Sequence, residues 1–172
     1  MSIAVLLLLG LVGLAGSALA LRGERGTGAT GAIALVGALA VAASFAWPAS
    51  GGAGVVQAGA ALAALAAVTG GGPVATAVLH AADPAATGVS GGPQDPDILR
   101  GGAWIGVLER GAVAATLLVG WPEGLAVVLA VKGLGRFSEL RAPAAAERFI
   151  VGTLASGLWA AACVGVAVLL RG

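Results

Sequence analysis

Long apolar runs, separated by short polar or glycine-rich interruptions, dominate the chain. Ile3 to Leu21 is the first, with about the length that a helix needs to cross a hydrocarbon core, roughly 20 residues. Gly31 to Trp47 is the second. Trp47-Pro48 closes it, and an indole suits the membrane interface. Ala53 to Thr69 is the third. Gly70-Gly71-Gly72-Pro73 is expected to break it, because proline lacks an amide donor and glycine frees the backbone. Val74 to Ala82 then either continues the helix beyond a kink or forms a short interfacial piece. A polar segment from Asp83 to Gly102, with Pro84, Pro93 and Pro96, divides the chain. Asp95-Pro96 reads as a helix start, Asp at the N-cap and Pro at the first helical position. The fourth helix then runs to Trp121, and Pro122 and Glu123 turn the chain. Gly124 to Glu139 is the fifth helix and Phe149 to Leu170 the sixth.

The pattern therefore predicts an all-α polytopic membrane protein, a bundle of about six transmembrane helices. Residues 1–172 form a single integral membrane domain: a three-helix half over 1–82, a polar cytoplasmic loop over 83–102, and a second three-helix half over 103–172. Three passes per half would invert one half relative to the other, as in many transporters, but the two halves share no residue-level similarity.

Composition excludes the soluble alternative. Hydrophobic residues make up 59% of the 172 and charged residues only 10%, with a mean hydropathy of +1.01. A soluble domain carries about 25% charged residues, so this chain could not cover itself with solvated groups. The net charge of +1 gives no basic surface for nucleic acid. The 30 glycines, with abundant alanine, point to helices in close backbone contact, since small residues allow that approach in lipid. Gly59, Ala63 and Ala67 have the four-residue spacing of such a contact, as do Gly152 and Ser156. Cys163, the single cysteine, lies in an apolar run and reads as packing. His80 reads as an interfacial side chain.

Loop charge sets the expected orientation, because Lys and Arg favour cytoplasmic loops. Arg22 and Arg25 follow the first helix, Arg100 the third, and Arg136, Arg141 and Arg148 the fifth, whereas only Arg171 lies opposite. Six passes put every basic loop on one side. The expectation is a multi-pass cell-membrane protein with both termini outside the cytoplasm. No Lys or Arg precedes Ile3, so the first run lacks the basic region of a signal peptide and is retained as a helix.

Chemistry concentrates in one hairpin. Glu109, Arg110 and Lys132 interrupt apolar runs, and charge inside hydrocarbon is costly. Glu109 lies about twelve residues before Trp121 and Lys132 about eleven after it, which places both at similar depth at about 1.5 Å per residue. Arg110 points about 100° away from Glu109. Lys132, Arg136 and Glu139 are spaced to share one face of the fifth helix. Glu109 is then placed to relieve the repulsion between Lys132 and Arg136, and Glu139 to pair with Arg136. With Arg148, these residues form the candidate intramembrane or interfacial polar network. Long basic side chains can snorkel to the interface, which accounts for Arg136 and Arg148 but not for the short side chain of Glu109.

No catalytic, cofactor or metal site is expected. There is no His-Glu metal spacing, no paired carboxylates and no nucleophile with a base. Ser156 and Thr153 share a helix face, where interhelical hydrogen bonding explains them better than catalysis. Gly26-Thr27-Gly28-Ala29-Thr30-Gly31 matches G-x-G-x-x-G but lacks the preceding strand that a dinucleotide site requires, so it reads as a tight loop between helices.

Three short motifs carry a resemblance. Gly102, Ile105, Gly106, Leu108, Glu109 and Arg110 form the first. Lys132, Arg136, Phe137, Glu139 and Leu140 form the second, and Glu147 to Leu154 with Ser156 the third. Together they resemble the carboxy-terminal half of a group of uncharacterised bacterial integral membrane proteins. The resemblance covers less than half the chain and implies membrane location without an activity. Two functions compete: a structural or accessory subunit whose charged hairpin sets helix register, and a small transporter or channel using Glu109 and Lys132 as a substrate or ion site. The expected partners are the lipid bilayer and either other membrane proteins or further copies of this chain.

Overall fold

The computed structural model describes residues 1–22, 28–49, 51–82, 102–141 and 143–171, and every described element is helical. The helices are α1 (Ser2–Arg22), α2 (Gly28–Ala46), α3 (Ala53–Ala82), α4 (Gly102–Leu118), α5 (Gly124–Gly135) and α6 (Pro143–Leu169), with a 3-10 turn at Glu139–Arg141. Four of them, α1, α2, α3 and α6, are long and apolar enough to cross a membrane. At 17 and 12 residues, α4 and α5 are shorter. Leu7, Leu11, Leu14, Ile33, Leu154 and Leu158 are large apolar residues on the outer surface, as expected of helices that face lipid rather than water.

The centre of the bundle is α3, which packs on α1, α2, α4 and α6. Its buried stripe is Gly59, Ala63, Ala66, Ala67, Gly70, Gly71 and Val74. The stripe meets Val5, Leu9 and Val12 of α1 and Trp159, Ala160, Cys163 and Ala167 of α6 in one core. Because lipid tails are as apolar as leucine, such contacts gain by close packing rather than by escape from water. The α1–α3 crossing shows how close: a methyl group added at Gly16 would stand 2.8 Å from the Gly70 amide nitrogen.

The expected break at residues 70–73 does not occur. The helix runs unbroken through Gly70-Gly71-Gly72-Pro73 to Ala82. Proline removes the donor that would reach the Thr69 carbonyl, but a helix buried among others can tolerate this when side chains satisfy the neighbouring backbone. Thr69 Oγ1 donates to the Leu65 carbonyl at 2.9 Å or the Gly13 carbonyl at 3.0 Å. Trp159 Nε1 donates to the Ala66 carbonyl at 3.0 Å and Arg110 Nε to the Val68 carbonyl at 2.8 Å. The turn before Pro73 is thus tied to α1, α6 and α4.

Other boundaries also move. α5 ends at Gly135 rather than Glu139, α4 ends at Leu118 rather than Trp121, and α6 begins at Pro143, six residues before Phe149. Pro143 opens α6 at a position where its missing N–H has no helical acceptor to serve. Gly28 to Gly31 forms the first turn of α2, so two thirds of the glycine motif is helix. Its Gly26 and Thr27, and the Asp95-Pro96 helix start, lie outside the described residues.

Candidate functional site: the charged α4–α5 hairpin

The hairpin is closed by a local hydrogen-bond pattern. Gly120 adopts φ +76° just past the end of α4. Its N–H bonds to the Leu117 carbonyl at 3.2 Å, and the Trp121 N–H reaches back to the Thr116 carbonyl at 2.8 Å. These are the two bonds of a Schellman cap, and glycine takes its left-handed position without a Cβ penalty. Pro122 and Glu123 then lead into α5, which packs chiefly against α4.

This geometry brings the expected pair together. Lys132 Nζ donates to Glu109 Oε2, and the two side chains are 18% and 20% exposed. The ammonium also stands 5.7 Å from the centre of the Phe149 ring on α6, within the range at which an aromatic face attracts a cation. Glu109 thus has a counter-ion, and Lys132 has both a counter-ion and an aromatic face.

Arg110 turns the other way, as the 100° offset requires. It is 8% exposed and reaches across to α3, where its Nε meets the Val68 carbonyl. Two glycines of α3 open the space. A Cβ at Gly71 would collide with Arg110 Cδ, and one at Gly70 would lie 2.5 Å from the Trp159 ring. The glycine run that looked like a helix break is a notch in an intact helix, filled by an arginine from α4 and a tryptophan from α6.

A small cavity lies between the ion pair and α6. It measures about 30 Å³ and is lined by Glu109, Lys132, Thr153, Ser156, Val113 and Val128, among others. Thr153 Oγ1 is buried and has no hydrogen-bond partner among the described residues. The expectation that an interhelical hydrogen bond explains Thr153 therefore fails.

The remaining network residues lie beyond the end of α5 and near the start of α6. Arg136 is the C-cap of α5, at φ −115° and ψ 13°, and Glu139 begins the 3-10 turn. The α-helix expected to carry Lys132, Arg136 and Glu139 on one face ends at Gly135, so of the three only Lys132 lies within α5. The side chain of Glu139 lies outside the described residues. Arg148 sits in the second turn of α6. Among the described residues, no three His, Cys, Asp or Glu side chains converge on a metal position.

Sequence reasoning missed the roles of Phe149, Val68, Trp159 and the glycine notch. Phe149 could have been suspected from its place beside Arg148 in the third motif. No signal in sequence pairs Arg110 with a backbone carbonyl 42 residues away.

Comparison of the chain with protein-family models, with curated proteins and with solved structures finds no match.

Proposed function

We propose that this protein is an integral membrane subunit with a structural or accessory role, and that its charged hairpin fixes the register of the helices that present its outer faces to partners. One observation carries the reading. Each intramembrane charge of the hairpin is engaged by a neighbouring helix: Glu109 by Lys132, Lys132 also by Phe149, and Arg110 by the Val68 carbonyl. A solute site needs groups held available for a ligand, and the adjoining cavity of about 30 Å³ is far below the roughly 300 Å³ of an ordinary ligand pocket.

The proposed topology has six passes, both termini outside and residues 83–101 in the cytoplasm, from the distribution of Arg residues. At 12 residues α5 covers only about 18 Å of a core about 30 Å thick. In this topology the following turn completes the crossing. Its backbone stays bonded through Arg136 N to Gly133 O, Phe137 N to Leu134 O and Leu140 N to Arg136 O, as backbone at membrane depth must be.

Purification in mild detergent, followed by reconstitution in liposomes, tests the role. The accessory reading expects a specific protein that co-purifies with the parent and is lost on Glu109→Leu. Flux of an ion or solute through liposomes containing this chain alone, abolished by the same substitution, would replace that reading with the transport one.

A further inference from the structure

We infer that the cavity between α4, α5 and α6 is a hydration site, holding one or two water molecules that join the Glu109–Lys132 pair to the hydroxyl of Thr153. The inference stands on the cavity and does not depend on the accessory role.

Three observations identify the occupant as water. The first is size. A water needs about 10–15 Å³ of such space, so about 30 Å³ admits two or three at most and nothing much larger. The second is charge. Glu109 and Lys132 neutralise one another across a direct contact and Arg110 also lines the space, its Nε bonded to the Val68 carbonyl, so a cation entering here would meet two positive groups and an anion the carboxylate. A small neutral molecule that both donates and accepts suits both groups. The third is the lining. Thr153 Oγ1 is a buried hydroxyl with no partner among the described residues, and Ser156, one turn along α6, lines the same space. A buried hydroxyl left unbonded is costly, and a water with 2–4 polar neighbours removes that cost. Glu109, Lys132, Thr153 and Ser156 supply those neighbours.

The site has a mechanical consequence. α5 packs chiefly on α4, and its polar side meets α6 through Phe149 and this cavity. A bridging water extends the two-helix ion pair to α6, so that three helices share one polar connection inside an apolar bundle.

Thr153→Val tests the inference by the sign of its effect, because valine has nearly the shape of threonine without the hydroxyl. In a hydrated site the substitution removes a water partner and lowers the midpoint of thermal unfolding in detergent by a few degrees. In a dry site it removes an unsatisfied hydroxyl and leaves the midpoint unchanged or raises it, which would overturn the proposal. Repeating Thr153→Val in a Glu109→Leu, Lys132→Leu background guards against a simple packing defect. The drop should vanish there, because the apolar cavity no longer holds water; a drop of equal size in both backgrounds also overturns the proposal. An independent readout is magnetisation transfer from water to the Thr153 methyl group in lipid nanodiscs, expected in the parent and lost in the apolar background. Its absence from the parent counts against a hydrated site.

Discussion

Removing one member of the Glu109–Lys132 pair should destabilise the bundle unequally, depending on which member goes. At an effective dielectric of about 20, unit charges about 4 Å apart attract by about 4 kcal/mol. Breaking one partner out of a buried pair typically costs about 3–5 kcal/mol, because the survivor is left uncompensated. The residual exposure of 18% and 20% does little to relieve this where the surface faces lipid rather than water. Glu109→Leu leaves Lys132, whose ammonium retains the Phe149 face at 5.7 Å and whose four-carbon stem can snorkel. Its cost falls near the lower end, about 3 kcal/mol. Lys132→Leu leaves a short carboxylate with neither escape, so its cost falls near the upper end, about 5 kcal/mol. Changing both removes the buried charge together with its partner and should cost about 1 kcal/mol, less than either single change. Cys163 supplies the assay. It is the only cysteine and is fully buried in the core, so reaction with a fluorogenic maleimide during a denaturant or thermal titration reports opening of the bundle. Single-variant costs that add to the double-variant cost within about 0.5 kcal/mol would refute the pairing argument, and so would a Glu109→Leu variant as stable as the parent.

Three further outcomes follow from the notch and the topology. Arg110→Met should lower stability by about 2 kcal/mol in the same thiol-reaction assay, since it deletes a charged hydrogen bond to the Val68 carbonyl while retaining most of the packing volume. Gly70→Ala should cost about 1–3 kcal/mol, because its methyl group would lie 2.5 Å from the Trp159 ring and must displace it. Paired with Trp159→Phe, it should cost less than the sum of the two single changes, as unfolding midpoints of the four variants will show. For topology, Ser90→Cys should react with an impermeant thiol reagent only from the cytoplasmic side, and Gly52→Cys only from the opposite side, each in a Cys163→Ala background. Gly52 has open space around it, whereas a side chain at Gly51 would meet Val55. Both sites reacting from one side would exclude six passes.

Apolar run length was enough to specify helices, and it placed α1 and α2 within a few residues of their observed bounds. The reason is local: backbone in lipid must bond to itself, so any apolar run long enough to cross becomes a helix. Depth was legible for the same reason. Equal spacing from the turn at Trp121 put Glu109 and Lys132 at one level, and helical rotation sent Arg110 to another face. Tertiary structure decided what those faces meet. Gly70-Gly71-Gly72-Pro73 carries the local signature of a break, and by local rules it should be one. It stays helical instead, with Trp159, Arg110 and Thr69 bonded to carbonyls of the turn before Pro73 and the first two admitted by its missing side chains. In the same way, Thr153 looked like an interhelical donor, but packing leaves its buried hydroxyl without a hydrogen-bond partner among the described residues. Periodicity sets the direction in which a side chain leaves its own helix, but its partner depends on distances between helices far apart in the chain, and those are determined only when the bundle closes.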